Sequence, residues 1–137
     1  MKTAFHLSLP CNDVKQTKDF YVNNIGAYSG REAEHWVDID LFGHQITFTK
    51  AGKFNFNNPN YVFEGKILPS FHFGVIVNVD TWGQIYARLN EQNLELVTQA
   101  TFLKEKSGEH LSFFVKDPSD YMLEFKSFKN EDAVFKL

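Results

Sequence analysis

The sequence has little cysteine, no excess of positive charge and no long apolar run. Its single cysteine, Cys11, excludes an intrachain disulfide and a zinc site built from several cysteines. The formal net charge is −3, with lysines scattered among carboxylates, which gives nucleic-acid binding little electrostatic support. No apolar stretch approaches the ~20 residues of a membrane span, and the start of the chain lacks the apolar core of a signal peptide. We therefore expect a cytoplasmic protein whose partners include neither nucleic acid nor a membrane.

The chain does have enough length and enough large side chains for one packed core. Its 137 residues suit a single domain, 1–137. Phenylalanine is abundant, with 15 residues, and these large rings indicate a filled core or a lined cavity.

The most informative pattern is a repeat with a period of about half the chain. Residues 5–9 (FHLSL) return as residues 71–75 (FHFGV), and each copy places one histidine early in a strand-like run. A fixed period of this kind indicates architecture before any single motif does. Two copies with a histidine in matching places predict a site to which both halves contribute a ligand.

Each half of the chain has the pattern β-α-β-β-β, which predicts an α+β fold of two modules. We expect the first module at 4–50 and the second at 70–128, with a tail at 129–137. The segment 51–69 is rich in Asn, Gly and Pro and is expected to be the linker. The predicted strands are 5–9, 28–34, 36–42, 45–50, 71–77, 94–101, 110–116 and 121–128, and the predicted helices are 13–23 and 80–93.

Four segments resemble the vicinal oxygen chelate superfamily, the group of glyoxalases, bleomycin resistance proteins and extradiol dioxygenases. They are NDVKQTKDFYVNNIGA, HWVDIDLFGHQITF, PSFHFGVIV and FFVKDPSDYMLEFKSF, the last with Asp120 where the family usually has glycine. The likeness runs from Phe5 to Phe128 and is greatest for small dioxygenase-like members. It implies two βαβββ modules in tandem that form a curled mixed sheet around a metal cleft. It also implies a small-molecule substrate and a homodimer.

The resemblance further implies a set of metal ligands. The family's first-strand histidines match His6 and His72, and its acid on the last strand matches Glu124. Two imidazoles and one carboxylate leave open positions on a divalent ion, for which we favour Fe²⁺ or Mn²⁺ over Zn²⁺, Ni²⁺ or Co²⁺. Glyoxalase-type members add an acid on the last strand of the first module. Alignment of the two modules puts Thr47 there, which favours a three-ligand site.

Strand alternation gives an independent test of this ligand set, because alternate residues face opposite sides of a sheet. His6, His72 and Glu124 each lie opposite the more apolar side of their own strand. All three side chains can therefore point into one concave surface.

Two further residues are candidates for catalysis. Lys126 lies two residues after Glu124 and could offer a positive charge to an anionic substrate, although it could equally extend into solvent. His110 shares a strand face with Ser112 and Phe114 and could act as an acid or base, or be an ordinary histidine at a strand end.

Three classes of function fit these residues. The first is a metal-dependent, extradiol-type dioxygenase acting on a small aromatic or vicinal-oxygen substrate. The second is a glyoxalase, lyase or isomerase, or a thiol transferase that modifies an antibiotic. The third is a non-enzymatic drug-binding protein of the bleomycin-sequestering kind, against which the presence of all three ligand residues argues.

Overall fold

The computed structural model describes residues 1–54 and 57–137, and these fold as two units. One unit is made of the described residues up to 54 together with Asp117–Asp120, and the other of Asn57–Lys116 with Tyr121–Leu137. Each unit holds a four-stranded mixed sheet and a helical segment, which confirms the predicted α+β class. Asn55 and Phe56, part of the expected linker, lie outside the described residues.

The first unit begins with a β-strand, a short helix and a π-helical segment. The side chain of Asp13 caps the helix by accepting from the backbone N–H of Gln16 at 2.8 Å. Gly26 ends the π-helical segment with a φ of 90°, which glycine adopts without strain. The elements are β1 (His6–Cys11), α1 (Val14–Asp19), the π-helical segment (Phe20–Ile25), β2 (Tyr28–Ala33), β3 (Trp36–Leu41) and β4 (His44–Lys50).

The strands of the first unit lie in the order β1-β4-β3-β2, with β1 parallel to β4 and the other neighbours antiparallel. Alternation along β3 and β4 buries one set of side chains as the core of this unit. These core residues are Val37, Ile39, Leu41, Ile46 and Phe48.

The second unit repeats this arrangement after an added hairpin. The hairpin consists of β5 (Asn60–Phe63) and β6 (Lys66–Pro69). The remaining elements are β7 (Phe73–Ile76), α2 (Val79–Glu91), β8 (Leu96–Phe102), β9 (His110–Lys116), β10 (Met122–Phe128) and a 3₁₀ turn (Glu131–Ala133). Their strand order, β7-β10-β9-β8 with β7 parallel to β10, is that of the first unit.

Helix α2 packs on one face of the second sheet. Asn78 caps it by accepting from the N–H of Thr81 at 2.8 Å, and Trp82, Ile85 and Leu89 form its buried side. The indole N–H of Trp82 donates to the carbonyl of Phe125 on β10 at 2.9 Å. None of the helices in the described ranges is both long and apolar enough to cross a membrane.

Candidate functional site

The face of the second sheet opposite α2 carries most of the predicted site residues. We call it the Glu124 face and define it by Met122, Glu124 and Lys126 of β10 with Ser112 and Phe114 of β9. Lys126 lies directly opposite Ser112, and Glu124 directly opposite Phe114. Since directly opposed residues project to the same side of a sheet, the five side chains share one surface.

The backbone of Glu124 lies very close to the parallel strand β7. In the register of β7 and β10, Gly74 is the partner of Glu124. A Cβ atom built on Gly74 would lie 1.7 Å from the carbonyl oxygen of Glu124 and 2.6 Å from its carbonyl carbon. Only glycine fits at this position, so the residue two places after His72 helps to position the acid.

The side chains of His72 and Glu124 are in contact at one end of β7. The Nε2 atom of His72 lies 3.2 Å from Oε2 of Glu124. The other ring nitrogen, Nδ1, donates to the carbonyl of Pro69 at 2.9 Å, and the ring lies perpendicular to that of Phe114 with centroids 5.2 Å apart. The bond to Pro69 and the contact with Phe114 fix the direction in which Nε2 points.

Lys126 completes the contacts of this carboxylate. Its Nζ lies 3.3 Å from Oε1 of Glu124, whose residue is only 5% exposed. Burial by itself would raise the pKa of Glu124, but the bond with His72 and the charge of Lys126 outweigh it and hold that pKa below its ordinary value. The bond to Glu124, working against burial, raises the pKa of His72. The ionised form of Glu124 is therefore favoured, with the His72 ring beside one carboxylate oxygen and Lys126 beside the other.

The structure does not bring His110 to this pair. His110 opens β9 opposite Phe128, four residues along β10 from Glu124, or about 13 Å at the rise of a strand. Its Nδ1 donates to the carbonyl of Gly108 at 2.9 Å, and its ring stacks on Phe128 with centroids 4.8 Å apart. Its catalytic role stays a prediction, and these contacts favour a packing role.

The buried hydroxyl of Ser112 lies between His110 and the Glu124–Lys126 contact on the same sheet face. In the described residues, the Oγ of Ser112 is the one buried side-chain oxygen or nitrogen without a hydrogen-bond partner. Ser112 is next to His110 on the same strand face and opposite Lys126. A buried hydroxyl without a partner costs free energy, so this position is a weak point of the sheet's packing.

In the first unit, His6 occupies the place that His72 has in the second. His6 is the first residue of β1 and pairs with Gln45, and two residues later Ser8 pairs with Thr47. The second unit has the same spacing, because Gly74 pairs with Glu124. This register places Thr47 at the position of Glu124, as the alignment of the modules predicts. His6 is exposed, and its side chain makes no hydrogen bond within the described part of the chain.

The acid of the first unit lies one strand away from that position. Asp38 on β3 is buried, and its Oδ1 accepts from the hydroxyl of Thr47 at 2.6 Å. Its Oδ2 accepts from Arg31 at 2.8 Å and from Gln45 at 3.1 Å. Burial would raise the pKa of Asp38, but these three donors together lower it. Both oxygens are already engaged, so Asp38 reads as a structural carboxylate.

The structure therefore joins three of the five predicted site residues in one unit. His72, Glu124 and Lys126 are in contact, whereas His110 lies farther along the second sheet and His6 belongs to the first unit. Across the described residues, no three His, Cys, Asp or Glu side chains are placed as a group that could hold a metal.

Two residues that shape these sites were not singled out from the sequence. Gly74 carried a usable signal, since a glycine inside a strand pattern often marks a close approach of another backbone. Asp38 carried none, because an acid that alternates with apolar residues is normally on the solvated face of a strand. Its burial depends on Arg31 and Thr47 from neighbouring strands, which no local pattern encodes.

Comparison with known proteins agrees with this architecture. Residues 3–125 match the family model described as the Glyoxalase/Bleomycin resistance protein/Dioxygenase superfamily. The chain belongs to this superfamily, as its motifs predicted. A comparison with curated proteins gives no match.

Solved structures share the fold at low sequence identity. A glyoxalase/bleomycin resistance protein/dioxygenase from Alicyclobacillus acidocaldarius is 23% identical with a TM-score of 0.81, and the match covers 97% of this chain and 96% of that chain. The fosfomycin resistance protein FosX from Listeria monocytogenes is 13% identical with a TM-score of 0.69, with 98% and 99% covered. A FosX mutant complexed with Mn(II) and 1S,2S-dihydroxypropylphosphonic acid is 12% identical with a TM-score of 0.69, with 99% of each chain covered.

Proposed function

We propose that this protein is a metal-dependent enzyme that acts on a small substrate through two neighbouring oxygen atoms. The proposed ligands of a divalent ion are His6, His72 and Glu124, with Fe²⁺ or Mn²⁺ favoured and Zn²⁺, Ni²⁺ or Co²⁺ as further candidates. The observation that carries the proposal is the contact of 3.2 Å between Nε2 of His72 and a buried carboxylate oxygen of Glu124.

The donor atoms of the second unit fit such an ion. Because Nδ1 of His72 donates to Pro69, the neutral ring has its lone pair on Nε2, the atom beside Glu124. An ion at that place would take the position of the proton on Nε2, and metal binding at histidine commonly releases a proton in this way. The side chain of His6 makes no hydrogen bond with the described residues, so no bond would have to break for it to bind an ion.

A divalent ion with these ligands would supply Lewis acidity toward a bound pair of oxygens. The chain itself supplies the surroundings. Glu124 is ionised and buried, so it offers a fixed negative charge with little competition from water. Lys126 offers a positive charge beside it, which favours a substrate that is or becomes anionic.

The first reaction to test is extradiol ring cleavage of a catechol. Purified protein should be loaded with Fe²⁺ and assayed for oxygen uptake over a panel of substituted catechols. We expect uptake that His72→Ala abolishes and that His35→Ala leaves intact, because His35 is an exposed residue in the turn between β2 and β3. The absence of uptake over the whole panel would rule out this reaction.

A second candidate reaction is the addition of water to an epoxide. It is favoured by the structural similarity to the FosX mutant that was complexed with Mn(II) and a vicinal diol. The test is incubation of the Mn²⁺-loaded protein with fosfomycin and detection of the diol by phosphorus NMR. Tight binding of bleomycin by metal-free protein, with neither reaction, would instead favour the drug-binding alternative. We also propose a homodimer, which light scattering during size-exclusion chromatography would test.

A further inference from the structure

The hairpin β5–β6 packs on the same sheet face as the His72–Glu124 pair. Leu68 of the hairpin is 3% exposed and forms a buried apolar cluster with Phe102 and Phe114. Phe63 contacts Phe102 with ring centroids 5.6 Å apart. The carboxylate of Glu64, at the turn of the hairpin, accepts a hydrogen bond from the backbone N–H of Leu103, the residue after β8, at 3.0 Å. The expected linker therefore contains an ordered element that covers part of the Glu124 face.

The end of this hairpin is bonded to the proposed metal ligand. Pro69 is the last residue of β6, and its carbonyl accepts from Nδ1 of His72 at 2.9 Å. Phe114 contacts both the hairpin and the proposed ligand, since it packs against Leu68 and its ring meets that of His72 at a right angle. The hairpin is thus part of the surroundings of the site.

Strand alternation shows which hairpin side chains face the sheet. Tyr61 pairs directly with Leu68, and Val62 pairs directly with Ile67. Val62 and Ile67 are 69% and 67% exposed, whereas Leu68 is buried against the sheet. Because directly opposed residues share a side, Tyr61 faces the sheet together with Leu68.

The hydroxyl of Tyr61 is accessible and has no partner among the described residues. The residue as a whole is 43% exposed. Burial, with a further contribution from the charge of Glu124, raises the pKa of Tyr61. Its phenol therefore stays protonated at neutral pH and can donate a hydrogen bond.

We propose that Tyr61 is a substrate-binding residue whose hydroxyl donates to an oxygen of the small molecule bound beside His72 and Glu124. The ligand class is a small molecule with an anionic or strongly polar oxygen and an apolar part that packs against the hairpin. This inference rests on the proposed metal-dependent function of the same site. It adds a recognition element that is carried by the hairpin rather than by either four-stranded sheet.

The position of Tyr61 can be tested without any activity. The five tyrosines should be labelled as 3-fluorotyrosine and the fluorine resonance of Tyr61 assigned by its loss in Tyr61→Phe. Addition of Mn²⁺ in steps up to one equivalent should broaden the Tyr61 resonance at lower metal concentration, and more strongly, than that of Tyr86. Tyr86 is the matched control, because it lies on α2 at the opposite face of the sheet and donates to Gln99.

Its role as a donor can be tested with 4-nitrocatechol as an optical probe of the metal-loaded protein. Tyr61→Phe should weaken the binding of this probe about tenfold, the expected loss for a hydrogen bond to a charged oxygen, with metal content unchanged. Tyr86→Phe should bind the probe as the unmodified protein does.

The outcomes separate the two proposals. Metal binding that broadens Tyr61 no more than Tyr86, or unchanged probe affinity in Tyr61→Phe, would overturn the role of Tyr61 and leave the metal-dependent function standing. A protein that by elemental analysis binds none of Fe²⁺, Mn²⁺, Zn²⁺, Ni²⁺ and Co²⁺ would overturn the proposed function, and the role of Tyr61 with it.

Discussion

Replacing Gly74 by alanine would put a methyl group where the backbone of Glu124 already lies. The new Cβ would be 1.7 Å from the Glu124 carbonyl oxygen, whereas real Cβ atoms essentially never approach another heavy atom within 3.0 Å. The two strands would have to separate locally by at least about 1.3 Å, because the three nearest atoms all belong to the backbone of Glu124 and cannot rotate away. The β7–β10 pairing would then lose hydrogen bonds at its centre.

The cost can be estimated from these two effects. Overpacking costs about 1–3 kcal/mol and each lost backbone hydrogen bond about 1 kcal/mol, so we expect Gly74→Ala to lower the free energy of unfolding by at least about 3 kcal/mol. With a urea m-value of ~2 kcal/mol/M, the midpoint of urea unfolding should fall by about 1.5 M. Circular dichroism during urea titration measures this shift directly.

The matched control is Gly83→Ala. Gly83 lies inside α2 with no atom within 4 Å of a built Cβ, so alanine there should stabilise the helix by about 0.5–1 kcal/mol. If Gly74→Ala unfolded within 1 kcal/mol of the unmodified protein while Gly83→Ala behaved as expected, the close pairing of β7 with Glu124 would be refuted.

Three further predictions concern the polar groups of the two sheets. In metal-free protein, the pKa of His72 is raised by its contact with Glu124. The contact therefore contributes fully to the free energy of unfolding below the ordinary histidine pKa of ~6.5, and this contribution is lost as the pH rises through the raised pKa. Urea titrations should accordingly show that His72→Gln lowers the free energy of unfolding more near pH 6 than near pH 9. Thr47→Val removes the donor to Asp38 and should lower the free energy of unfolding by about 1.5–3 kcal/mol in the same assay; a change below about 0.5 kcal/mol would contradict the network. Ser112→Ala removes a buried hydroxyl without a partner and should raise the thermal midpoint or leave it unchanged, whereas a clear fall would mean that the hydroxyl does have a partner.

The order of the elements could be predicted because alternation and helical periodicity act locally. The strand predicted at 110–116 has the observed bounds, and the others shift by one or two residues at their ends, where side-chain patterns are weakest. The helix predicted at 13–23 is observed as α1 followed by a π-helical segment. Periodicity cannot distinguish these two forms over six residues.

The hairpin at β5–β6 could not be predicted from its residues. Its turn is made by Glu64 and Gly65, both with positive φ, as a tight hairpin requires. The flanking Pro59 and Pro69 and the nearby asparagines instead indicated a linker. The hairpin is held by contacts with residues of β8 and β9 that lie more than 30 positions later in the chain, and local patterning does not reveal such contacts.

The candidate site residues also divide into those that the sequence predicts and those whose contacts depend on long-range packing. The half-chain repeat and the motif around Glu124 were enough to predict His72 and Glu124 as neighbours, and the structure places them 3.2 Å apart. The sequence also suggested Lys126 near the acid, but its direct contact with Oε1 depends on the burial of that carboxylate. The packing of His110 against Phe128 follows from the strand register, which the sequence alone does not determine.

The most direct test of the central claim is the metal content of purified protein measured by elemental analysis beside His72→Ala and His35→Ala. We predict about one divalent ion per chain in the unmodified protein and in His35→Ala, and none in His72→Ala. Equal metal content in all three proteins, or no metal in any of them after reconstitution with Fe²⁺ and Mn²⁺, would contradict the account.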